Sequence, residues 1–98
     1  MNTILEVLVH TREVISTSDS IKFMCRAIDD LKYESTITDE LHKEVYEYLS
    51  TNKPEDASNP DDEGYNNPAW WAYSRLYSRE YNQLKLDWLD KQIAELQS

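Results

Sequence analysis

Every glycine and proline of this 98-residue chain lies between Pro54 and Pro68: Pro54, Pro60, Gly64 and Pro68. Sheets of short strands need such residues at regular intervals, because their tight turns use positive or fixed φ angles. Helix interiors need neither residue. The distribution predicts an all-α fold, with three short helices before the breaker-rich segment and one long or bent helix after it. The length suits a single domain, residues 1–98, and a hydrophobic share of 40% supports a packed core.

The first helix is read over residues 3 to 16. Ile4, Leu8 and Ile15 share a face with Leu5 beside them, while Val7 and Val14 are placed on the opposite side. A strand from Thr3 to Val9 is the alternative, since TILEVLV is rich in β-branched residues. The run STSDS then interrupts, and Ser20 suits an N-cap. Residues 21 to 33 give a second helix with a stripe of Ile21, Met24, Ala27, Ile28 and Leu31. Cys25 lies at the edge of that stripe, and Lys22, Arg26 and Asp29 lie on the water side.

Thr38 caps a third helix whose Asp39 and Glu40 suit its positive end. Leu41, Val45, Tyr48 and Leu49 are expected inside, and Glu40, Lys43, Glu44 and Glu47 outside, with an end near Ser50. Residues 52–67 form an acidic loop, longer than most helix connections. Asn67 and Pro68 suit the N-cap and first position of the last helix. Nothing breaks the pattern from Pro68 to Gln97, a span of about 45 Å if it is all helical. Trp70, Tyr73, Tyr77, Tyr81, Leu84 and Trp88 fall on one stripe of it. Leu86, Leu89, Ile93 and Leu96 fall on a second, with Trp71 projecting along it. The second stripe has no evident internal partner, which suggests an interface, either with another protein or with a second copy of the chain.

The net charge of −9 is concentrated. Twelve acidic residues against three lysines lie between Asp29 and Glu63, so this stretch carries the whole excess. Ordinary binding to nucleic-acid phosphates is thereby disfavoured, and a basic partner is favoured. Two surfaces are candidates for that contact. One is aromatic: Trp70, Trp71, Tyr73 and Tyr77. The other is acidic: Asp29, Asp30, Glu40, Glu44, Glu47, Asp61, Asp62 and Glu63. Core packing and a solvated face are the plain structural explanations of the two sets. If the carboxylates formed two rows on rigid helices, with Asp29, Asp30 and Glu34 as one and Glu40, Glu44 and Glu47 as the other, they could imitate DNA.

Enzyme chemistry finds little support. One glycine cannot build a phosphate-cradling loop, and no nucleophile motif surrounds the serines and threonines. His10 and Glu13 at i, i+3 could begin a metal site, but no second pair completes it. His42 with Glu47 or Asp39 adds nothing better. The stretch NPDDEG misses the calcium-loop pattern. No enzyme activity, cofactor or metal is expected. The lone Cys25 rules out an internal disulfide and fits a reducing compartment. The opening MNTILEVLVHTRE lacks a basic leader and a small-residue cleavage site, and no apolar run approaches membrane-spanning length. A cytoplasmic protein without membrane contact is the expectation.

The segments FMCRAIDD, ITDELHKEVYEYL and LKLDWLDKQIAEL resemble those of small accessory proteins encoded by tailed bacteriophages. The likeness touches about half of the chain and supplies no catalytic residues. It implies action in the bacterial host cytosol on a host protein, such as a defence, transcription or nucleic-acid enzyme. The combined expectation is a non-enzymatic protein-binding factor of phage origin. An acidic DNA-mimic inhibitor and a homo-oligomeric assembly protein are the alternatives.

Overall fold

The computed structural model describes residues 1–17, 24–52, 54 and 82–98. Among these residues the chain forms four helices and no strand, α1 (Ile4–Thr17), α2 (Met24–Tyr33), α3 (Asp39–Thr51) and α4 (Asn82–Gln97). The fold is all-α. The 52–67 loop beyond Asn52 and Pro54, the Ser20 cap and the stretch from Pro68 to Tyr81 lie outside the described residues.

The strand alternative for the N-terminus fails for a local reason. Thr3 Oγ1 accepts from the Glu6 backbone N–H at 3.2 Å, and Glu6 Oε1 accepts from Thr3 Oγ1 at 3.1 Å and the Asn2 N–H at 3.2 Å. This is a close variant of the capping box, and TILE carries its T-x-x-E signature. Those hydrogen bonds, the Asn2 N–H first and the Thr3 hydroxyl second, hold the Glu6 carboxyl below its ordinary pKa. Once the helix is started, Val7, Leu8, Thr11 and Ile15 form its buried face. Val7 therefore belongs to the core rather than to the opposite side. The i, i+4, i+8 series from Val7 runs through Thr11, whose hydroxyl breaks the apolar pattern in sequence. Inside, that hydroxyl donates to the Val7 carbonyl at 2.8 Å, which removes the cost of burying it.

In α2, Met24, Ala27, Ile28 and Leu31 are buried as the stripe requires, and Cys25 is fully inside rather than at an edge; Ile21 and Lys22 lie outside the described residues. The helix ends on Ser35, a non-glycine residue at φ 61°. The Ser35 N–H donates to the Lys32 carbonyl at 3.0 Å, and the Thr36 N–H donates to the Leu31 carbonyl at 2.9 Å. This paired closure normally takes glycine at the left-handed position. Ile37 then drops into the core and turns the chain into α3. Thr38 caps α3 as the sequence predicts, its Oγ1 accepting from the Leu41 N–H at 3.1 Å. Leu41, Val45 and Leu49 are buried.

α1 packs mainly against α4 and also touches α2 and α3, while α2 and α3 pair with each other. The described parts of both predicted stripes, residues 82–98, meet this one core. Trp88 from the first and Leu89 from the second are buried, and Leu84, Leu86 and Ile93 pack at the margin. Among the described members of the second stripe, Leu89 is buried, Leu86 and Ile93 are partly buried against the core, and Leu96 is exposed. Among the described residues no helix is long and apolar enough to cross a membrane.

The cap at Ser35 generates a test. A β-carbon in the left-handed region costs about 1 kcal/mol that glycine avoids. Ser35→Gly is expected to stabilise the fold by roughly 0.5–1 kcal/mol, partly offset by the added freedom of the unfolded chain. Thermal unfolding followed by circular dichroism should show a Tm a few degrees higher.

Candidate functional site

The outer face of α3 is set by the burial of its inner face. With Leu41, Val45 and Leu49 fixed inside, Glu40, Glu44 and Glu47 must project to solvent, together with Asp39 and Lys43. All five are exposed. Glu40 and Glu44 are spaced i, i+4 and Glu44 and Glu47 i, i+3, which makes them neighbours on the helix surface. Among the described residues none of the three glutamates has an ion-pair partner within 4.0 Å. Like charges at this spacing repel mildly, by a few tenths of a kcal/mol per pair. Among the described residues, then, no ion pair neutralises this carboxylate row.

Asp29 and Asp30, from the same acidic set, behave differently. Asp30 lies 3.8 Å from Arg26 on the exposed side of α2, a loose i, i+4 pair of small energetic weight. Asp29 turns away from water. Its side chain is 24% exposed and sits in the seam between α2 and α3. Oδ1 accepts from the Tyr46 hydroxyl at 2.6 Å and is joined to His42 Nε2 at 2.8 Å. The His42 and Tyr46 rings lie against each other, with centroids 4.5 Å apart and planes tilted by 40°. The reading of Asp29 as a water-facing acid is corrected on this point. Helical spacing alone placed it outside, but one turn of α3 offers His42 and Tyr46 at i, i+4, where both reach it. Within α3 the sequence offers Glu47 or Asp39 to His42, but in the fold its partner is Asp29, shared with Tyr46.

The far end of α3 is tied to α4 by a second polar cluster. The Trp88 indole N–H donates to the Asn52 carbonyl at 3.0 Å, and the Tyr48 hydroxyl donates to Gln92 Oε1 at 2.7 Å. Asn52 closes α3 by donating from its backbone N–H and its Nδ2 to the Tyr48 carbonyl, each at 3.0 Å. Tyr48 meets Trp88 edge-on, with centroids 6.5 Å apart. Arg12 of α1 pairs with Asp90 of α4, whose carboxylate raises the guanidinium pKa.

Lys85 is a residue that the sequence pattern does not single out. It is fully buried, and its Nζ lies 3.2 Å from Asn82 Oδ1. Burial lowers its pKa to about 8. Its position one turn before Trp88, on the inward stripe, is the signal that could have placed it inside.

Among the described residues no three His, Cys, Asp or Glu side chains gather as a metal site. The aromatic candidates Trp70, Trp71, Tyr73 and Tyr77, and the loop acids Asp61, Asp62 and Glu63, lie outside the described residues. Of the two predicted surfaces, the α3 glutamates with Asp29 and Asp30 are the members among the described residues. Comparison with protein-family models, curated proteins and solved structures gave no match.

Two predictions follow from these environments. Asp29→Asn keeps the shape but removes the charge that strengthens both hydrogen bonds, and should destabilise the fold by about 1–2 kcal/mol. Urea unfolding measures it; a change below ~0.5 kcal/mol would return Asp29 to the surface set. The second concerns Lys85. Between about 8 and 10.5 the unfolded chain still holds a proton that folded Lys85 has released, so stability rises with pH in that window. Tyr48, whose pKa burial raises above 10.0, opposes this at the upper end, because the unfolded chain ionises first there. The rise should therefore show between pH 8 and about 10. Lys85→Met should flatten it in urea titrations.

Proposed function

We propose that this chain is a non-enzymatic protein-binding factor that docks the carboxylate face of α3 on a basic surface of its partner. The observation that carries this reading is the contrast between acids of one type in one neighbourhood. Asp29 is engaged in the fold, whereas Glu40, Glu44 and Glu47 stand exposed and without ion pairs among the described residues. Exposed charges without ion pairs among the described residues are available to steer and hold a complementary partner. A capped helix with a buried inner face displays them in a fixed row, so little ordering cost falls on binding.

The resemblance to small accessory proteins of tailed bacteriophages supplies the finer part of the proposal. On that ground the partner is a host bacterial protein and the place of action the host cytosol. Imitation of DNA is the second reading, and the α3 row favours it. Its other row is reduced, because Asp29 faces the seam and Asp30 lies beside Arg26, leaving Glu34 as the exposed acid there without an ion pair among the described residues. Self-association loses much of its motive, since Leu86, Leu89 and Ile93 are drawn into or against the core.

The test is capture from nuclease-treated bacterial lysate with tagged protein, at low and at moderate salt. The wild type should retain one protein at low salt and lose most of it as salt rises. The Glu40→Gln, Glu44→Gln, Glu47→Gln triple variant, checked for unchanged helicity, should bind at least about tenfold more weakly, a loss of ~1.4 kcal/mol. Added duplex DNA competes only if the contact lies in a DNA-binding groove. Retention of the partner by the folded triple variant, at either salt, would remove this surface from the contact.

A further inference from the structure

We draw no further inference here: the strongest candidate, the buried Lys85 near the N-terminal end of α4, stands only on its burial and its lowered pKa, and nothing among the described residues shows what ligand or reactant would reach it.

Discussion

The seating of Trp88 between the end of α3 and the core orders much of what the molecule displays. Its ring is buried, and its indole N–H needs a partner there. That partner is the Asn52 carbonyl, just beyond the last turn of α3. The residue that caps α3 is thus also the residue that receives α4. Tyr48 reinforces the joint from the side, edge-on to Trp88 and bonded to Gln92. With Leu89 in the same core and Thr38 closing the other end, α3 is held at both termini and along its inner face. Its outer face then has one orientation to present.

On this frame the acidic residues separate by environment rather than by type. A carboxylate in a half-buried seam is stabilised only if donors converge on it, and Asp29 has Tyr46 and His42. The glutamates on the outer face of α3 are exposed, with one another and Lys43 as helix neighbours. Net charge far from zero limits self-association, but it also favours encounter with basic surfaces. The same distribution weakens the case for a two-row DNA imitation, because the seam removes one member of the second row.

The sequence was most informative where one local rule dominated. The confinement of Gly and Pro to residues 54–68 indicated helices, and Thr38 with Asp39 and Glu40 marked the start of α3 correctly. The inner face of α3 was legible because Leu41, Val45 and Leu49 are unambiguous in type and spacing. It was least informative where a polar residue does apolar work or a partner comes from another helix. Thr11 hid the stripe that buries Val7, and nothing in its residue type marked Lys85 as a buried base. Asp29 looked solvent-facing because its donors, His42 and Tyr46, are thirteen and seventeen residues away. On the last helix the two stripes read as two faces, yet over the described residues 82–98 they converge. In three dimensions Trp88 and Leu89 enter one core.

The proposed partner would meet the chain at the outer face of α3. Zero-length cross-linking of carboxylates to amines in the captured complex, with the linked peptides read by mass spectrometry, tests this most directly. The account predicts links from Glu40, Glu44 or Glu47 to lysines of a single partner, and none from Asp29. Links confined to other parts of the chain, with α3 unmodified by the partner, would contradict it.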